Sequence, residues 1–516
     1  MKISIVLIFI IINLLITSSC KKEKNMMNVR RLDNSNITTT KIDGIVKSYM
    51  REASVTGLTL SIINDNKLVY SQAYGYENKQ LMIPLTENSI MSGASLSKFV
   101  FAYIVSRLVE NNVLDLDMPL YSYLEKPIPE YDQFRDLKNN ENWKKITARH
   151  CLSHSTGFPN SRYFNQDHKL EIFFEPGTST AYSGEGFTLL QFVIEKLTDS
   201  SLEDLVQKIV FEPLEMRNSS YISQNICEKN IASGHNLLEE PYKIQTYANP
   251  RAGGSLQTSA LDFSKFILHL LVNKDESYVK RIISPSIRIK KKYQFPSLST
   301  ITTDEYNSIN LSYGLGCVVM DTEIGKAFFK EGHGLGFQNY SISFPEAGTS
   351  IILLSNSDNA ELVFKYLLEE LIKDNYTLWE WEGYIPYDKL DDFSIGRYLY
   401  DIIVMESVDK AINTYLKIKE SKMIDRFIFN EAELNNLGYQ LIKEGKINQA
   451  IKLFTLNVEE YPKSANTYDS LGEAYLINEE YYLALKYYQK SYNIFPNEKT
   501  NKIISDIKRS LSTIND

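Results

Sequence analysis

Cysteine is scarce in this chain: four in 516 residues, at Cys20, Cys151, Cys227 and Cys317. Leaving Cys20 aside, the remaining trio is odd and scattered, allows at most one disulfide and has no metal-ligand spacing. No Cys-x-x-Cys and no His-Glu-x-x-His motif occurs, so the sequence supports neither a metal site nor a cofactor. An excess of positive charge is also missing. Lys and Arg number 56 against 64 Asp and Glu, a formal charge of -8, which argues against nucleic acid as a partner. The apolar run near the start, Ile3 to Ile16, is broken by Ser4 and Asn13 and is short for the ~20 residues of a membrane span.

That run follows Met1-Lys2 and precedes Thr17-Ser18-Ser19-Cys20. A positive start, a short apolar core and small residues before a processing point describe an export signal. The cysteine directly after the small residues resembles a bacterial lipoprotein signal over residues 1–20, with Cys20 as the acylated residue, although Thr17 stands where a leucine is usual. The expectation is an exported, membrane-anchored protein of the cell envelope. Lys21 to Thr40 is polar and reads as a flexible tether.

The length points to two or three domains, and 43% hydrophobic with 23% charged residues is a globular composition. Ser54–Ile63 and Lys67–Gly75, separated by Asn64-Asp65-Asn66, read as strand–turn–strand. Ile146–Gly157 and Phe187–Leu197 read as helices. Gly314–Met320, Ala327–Lys330, Gln338–Phe344 and Ser350–Ser355 are strand candidates before a helix at Glu361–Ile372. Strands at both ends with helices between them predict an α+β fold, whose antiparallel sheet combines N- and C-terminal strands. From Leu434 the pattern changes. Leu434, Leu437, Gly438, Leu441, Ala450, Phe454 and Pro462 recur 34 residues later as Tyr468, Leu471, Gly472, Tyr475, Ala484, Tyr488 and Pro496. This is the tetratricopeptide period. The expected layout is a domain at 41–375, a connector with a degenerate helical repeat at 376–430, and repeats with a capping helix at 431–516.

One stretch organises the first domain. In Ser95-Leu-Ser-Lys98 the serine and lysine are three residues apart at the start of an apolar helical pattern (Leu96, Val100, Ile104, Leu108), with Ser92 and Gly93 as turn and cap material. That spacing places both on one helical face, where a lysine can activate a serine. The same spacing recurs at Ser277/Lys280, Ser407/Lys410 and Ser505/Lys508, so spacing alone decides nothing. Order decides. Ser95-Leu-Ser-Lys98 is followed by Ile146–Gly157, Pro176-Gly177, Ala181-Tyr182-Ser183, Pro213-Leu214, Gly253-Gly254, Tyr313-Gly-Leu-Gly316 and Gly332-His333-Gly334.

This series resembles the serine β-lactamase and penicillin-binding-protein superfamily, in particular its class C-like esterases, D-aminopeptidases and carboxypeptidases. The resemblance implies Ser95 as nucleophile, Lys98 as its proton acceptor, and Tyr182 as a relay opening a Tyr-x-Asn motif. It also implies a substrate-binding and oxyanion region at Ser183, Gly184, His333, Gly334, Leu335 and Gly336. Two departures stand out. Gly184 replaces the asparagine, and the third motif reads His333-Gly334-Leu335-Gly336 in place of Lys-Thr-Gly. Both weaken the case for a β-lactam or D-Ala-D-Ala substrate and favour a small ester or a D-amino-acid amide or peptide. A catalytically degraded domain whose repeats dock an envelope partner is the competing expectation.

Overall fold

The computed structural model describes residues 28–515, apart from 165–167, 226–229, 385, 387–392, 422–423 and 425–426. Residues 1–20, Cys20 among them, and Cys227 lie outside the described residues. Residues 28–38, expected to belong to a tether, form a hairpin instead. β1 (Asn28–Arg30) pairs antiparallel with β2 (Asn36–Thr38). Val29 and Ile37 are buried there, two apolar residues in a polar stretch that anchor it to the body. Thr38 then caps α1 (Thr39–Ala53), which buries Ile42, Val46 and Met50 at helical spacing.

β3 (Gly57–Asn64) and β4 (Lys67–Asn78) form the expected hairpin, with β5 (Ile83–Pro84) at its edge. β6 (Met91–Ala94) feeds α2 (Leu96–Glu110). α3 (Gly184–Thr198), β7 (Leu256–Thr258) and α4 (Ala260–Val272) follow. The helix read over Ile146–Gly157 covers only Ala148–Leu152, because the chain turns at His154 with a left-handed φ of 55°. The remaining strands are β8 (Ile287–Arg288), β9 (Ser312–Tyr313), β10 (Val318–Thr322), β11 (Gly325–Gly334), β12 (Phe337–Phe344) and β13 (Thr349–Ser355), before α5 (Glu361–Leu371).

The main sheet runs β5-β4-β3-β13-β12-β11-β10-β9-β8, antiparallel at each step, so the last strand lies against the first long one. Successive residues of β11 alternate between two cores, as the pleat requires. Phe328 joins the core that holds α2, α3 and α4, while Ala327 and Phe329 join the core under α1 and α5. Trp379, Trp381 and Tyr384 pack into that second core. The second core therefore extends to Tyr384, because these large aromatics need a partner surface.

From residue 395 the described chain is helical apart from a short strand at Phe427–Ile428, which pairs parallel with Phe393–Ser394: α6 (Ile395–Met405), α7 (Val408–Glu420), α8 (Glu431–Lys443), α9 (Ile447–Glu460), α10 (Ala465–Ile477), α11 (Tyr481–Ile494) and α12 (Glu498–Asn515). Gly438 of α8 lies so close to Phe454 of α9 that a Cβ would sit 2.4 Å from the ring, and Gly472 of α10 meets Tyr488 of α11 at 3.0 Å. The helices α6 and α7 share one core with α8 and α9. Leu237 and Leu238 of the first domain pack against that core, and Glu240 pairs with Lys410 and Lys417 of α7.

Candidate active site

The turn between β6 and α2 is strained. Ala94 has φ 45°, a left-handed conformation that costs a non-glycine residue about 1–2 kcal/mol. Its neighbours hold it there. Ser97 Oγ donates to Ala94 O (2.5 Å) and accepts from Leu256 N (2.9 Å), while Tyr221 OH donates to Ser97 O (2.6 Å). The result puts Ser95 itself at the N-cap, with Ser92 and Gly93 inside β6. The Ser95 hydroxyl makes no capping bond. It accepts instead from Lys98 Nζ at 3.0 Å.

Ser95 is partly exposed and Lys98 is buried, so the serine hydroxyl faces solvent and its lysine partner does not. Lys98 also donates to Gly253 O at 2.5 Å and lies 5.0 Å from the centroid of the Tyr182 ring. Desolvation lowers its pKa, and the charge of Lys330 pushes the same way, against the opposing pull of Tyr182. Tyr182 is buried, stacked on His154 at 4.3 Å, and accepts from Lys330 Nζ at 3.3 Å. His154 Nδ1 accepts from Ser183 N (3.0 Å). Desolvation, reinforced by Lys330 and Lys98, holds the pKa of His154 well below the usual value, so the imidazole is neutral.

Lys330 is ion-paired with Glu331 at 2.8 Å, both side chains 2% exposed. Desolvation alone would lower the lysine's pKa, but Glu331 and Tyr182 outweigh it, and Lys330 is firmly cationic. The strand that carries it also offers backbone donors. β10 and β11 are joined by a two-residue turn closed by Thr322 and Gly325, and their pairing ends at Val318 and Phe329. In such a ladder alternate residues point N–H and C=O toward the partner. Gly325, Ala327 and Phe329 face β10, and the amides of Glu331 and His333 face the unpaired edge beyond it. That edge passes the turn between β6 and α2. A Cβ on Gly332 would lie 2.5 Å from Gly93 O and 3.2 Å from Leu96 N.

A family model described as Beta-lactamase matches residues 42–371. The chain belongs to the beta-lactamase family. Among its relatives, a beta-lactamase of Providencia stuartii is 23% identical over 62% of this chain and 87% of its own length. The esterase EstB of Burkholderia gladioli is 25% identical over 40% of this chain and 57% of its own length. The fold is similar to that of an octameric penicillin-binding protein homologue from Pyrococcus abyssi. That match has a TM-score of 0.52 and 23% identity, and covers 70% of this chain and 81% of the other.

The structure brings together Ser95, Lys98 and Tyr182 and rearranges the rest of the expected beta-lactamase-family site. The His333 side chain leaves on the opposite face of β11. It contacts Glu361 of α5 and Tyr384 OH (3.0 Å), because odd-numbered residues of the strand face the second core. The ammonium at Tyr182 comes from three residues earlier, so the Lys-x-Gly triplet on this strand is Lys330-Glu331-Gly332. Leu335 and Gly336 form a turn away from Ser95, packed on Gly234, with Gly336 N donating to Asp358 Oδ1 (2.7 Å). That amide is already engaged and supplies no oxyanion donor; Gly334 packs beside Ala94 and Ser92. Ser183 is buried as the N-cap of α3, accepting from Gly186 N (3.0 Å) and donating to Pro159 O (2.9 Å), which leaves its hydroxyl no part in substrate binding. Gly184 N donates to Asn160, and a Cβ at 184 would lie 2.8 Å from Asn160 O. Lys330, Glu331, His154 and the Gly253 carbonyl escaped the sequence reading. The one available signal was the Lys-x-Gly triplet itself.

Proposed function

We propose that the first domain is a serine hydrolase that forms an acyl-enzyme on Ser95, with a carboxylic ester or a D-amino-acid amide or peptide as substrate. The 3.0 Å contact between Ser95 Oγ and a buried Lys98 of lowered pKa carries this reading. A neutral Lys98 takes the Ser95 proton as Oγ attacks the substrate carbonyl. Tyr182, between Lys98 and the cationic Lys330, passes a proton to the leaving group. The backbone N–H groups of Ser95 and His333 receive the oxyanion. Water then attacks the acyl-enzyme by the reverse path and restores the serine.

Full-length protein is expected to label stoichiometrically with a fluorophosphonate, and Ser95→Ala to abolish it. Absence of labelling on folded wild type would instead favour the degraded, non-catalytic binding module. A β-lactamase or D-Ala-D-Ala carboxypeptidase is the second reading, favoured by the Lys330 ammonium at Tyr182. Turnover of a short-chain aryl ester, a D-amino-acid amide and a chromogenic cephalosporin, each against Ser95→Ala, separates the two.

The helices from residue 395 support a reading as tetratricopeptide repeats that dock a protein or peptide of the cell envelope, since glycine meets an aromatic ring at the same place in two units 34 residues apart. Loss of partner capture from full-length protein on substitution of groove residues, with Ser95 labelling intact, tests it. The signal-like N-terminus supports export and anchoring through a lipidated Cys20. Cys20→Ser should move the protein from the membrane fraction to the soluble one.

A further inference from the structure

The ammonium beside Tyr182 is the natural landing point for an anionic substrate, yet it is already occupied. Lys330 Nζ lies 2.8 Å from Glu331 Oε1, with both groups sealed from solvent. That oxygen also accepts from Gln294 Nε2 at 3.0 Å, which fixes the carboxylate in place. Glu331 Oε2 is buried without a partner, and so is Glu382 Oε2 close behind. Burial, with the Glu331 charge adding to it, holds the pKa of Glu382 well above the usual carboxylate value, so that group is neutral. Lys330, Glu331 and Glu382 together therefore carry no net charge.

We infer that Glu331 is a specificity-determining residue that cancels the Lys330 charge and so commits the site to substrates whose leaving group carries no carboxylate. This rests on the serine-hydrolase reading of Ser95 and narrows its substrate class. A carboxylate arriving at Tyr182 meets an ammonium already satisfied at contact distance. It would place a second negative charge in a site with an effective dielectric far below that of water, beside a Glu331 that the backbone and Gln294 hold in place. An uncharged ester or amide carries no such cost. The same ion pair keeps Lys330 protonated whatever is bound, so its proton remains available to Tyr182.

The test uses full-length protein and two esters that differ only in the leaving group, 3-carboxyphenyl acetate and 3-(methoxycarbonyl)phenyl acetate. They are supplied in competition, so that the ratio of kcat/KM values does not depend on the fraction of folded enzyme. Wild type should prefer the uncharged ester by about tenfold or more, and Glu331→Gln should move the ratio toward the acid by a similar factor. Glu331→Thr should do the same if the amide packs poorly. Preference of wild type for the acid, or an unchanged ratio in both variants, would overturn the inference. Failure of folded wild type to react with a fluorophosphonate would overturn the Ser95 reading instead.

Discussion

Lys98 and Lys330 approach the same phenol, yet their pKa values move in opposite directions, because only one of them has a carboxylate. Lys330 is held charged by Glu331, while Lys98 has only neutral partners, the Ser95 hydroxyl and the Gly253 carbonyl, and is pushed toward the free amine. Turnover of an uncharged ester should therefore rise with pH as Lys98 loses its proton and level off above its lowered pKa. Lys98→Arg, which stays charged, should cut kcat by roughly 10²–10⁴-fold. Steady-state rates across pH 5 to 9 measure both. The pair Ser95 and Lys98 was legible in the sequence because helical spacing brings them together and the order of the motifs that follow singles them out from the other Ser-x-x-Lys pairs. Lys330 was not, because which face of a strand a side chain takes depends on register, and the glycine-rich run around His333 imitates the motif three residues further along.

At the level of elements, α3 explains why a glycine begins it. Its first turn is pressed against the 159–160 segment, with Ser183 Oγ and Gly184 N both bonded there. Gly184→Asn, which would complete a Tyr-x-Asn motif on paper, should therefore lower stability by about 1–3 kcal/mol without raising activity. Thermal melting and ester turnover on the same preparation decide it. The long strands, α3 and α5 were readable from periodicity to within a few residues. The 28–38 hairpin and the break at His154 were not. Two apolar residues are too few to show a pattern, and a left-handed turn at a histidine leaves no periodic signal.

Across the whole molecule, a hydrogen-bonded chain runs from the turn after β11 to the helical domain. Gly336 N donates to Asp358 Oδ1 (2.7 Å), Tyr242 OH to Asp358 Oδ2 (2.8 Å), and Tyr242 OH lies 3.4 Å from Tyr398 OH of α6. Burial pushes the Asp358 pKa up to about 7, against the bonds from Tyr242 and Gly336, with Asp401 and Glu361 adding to the rise. The folded form thus binds a proton that the unfolded chain has released above pH ~4, and stability contributed by this group falls between pH ~4 and ~7. Asp358→Asn removes the penalty and keeps the bond from Gly336 N through Oδ1, while Nδ2 donates to Tyr242 OH, which turns its own proton to Tyr398 OH. Near pH 8 it should stabilise the protein by about 1–2 kcal/mol, discounted for partial exposure, with no gain near pH 4. Denaturant titrations at the two pH values measure it. The 34-residue period announced the helical domain. Its attachment through Tyr398, Leu237 and Glu240 joins segments about 160 residues apart, beyond any local pattern. The sheet order has a consequence in time. Thr59 of β3 bonds to Leu354 of β13 across 295 residues. At about 5–20 residues per second of synthesis, the β3–β4 hairpin waits roughly 15–60 s for its neighbour. During that interval the edge of a strand whose eight residues are all buried in the finished fold is open to pairing with other chains. Production of this protein should therefore be limited by chaperone supply and synthesis rate more than by the stability of the finished fold.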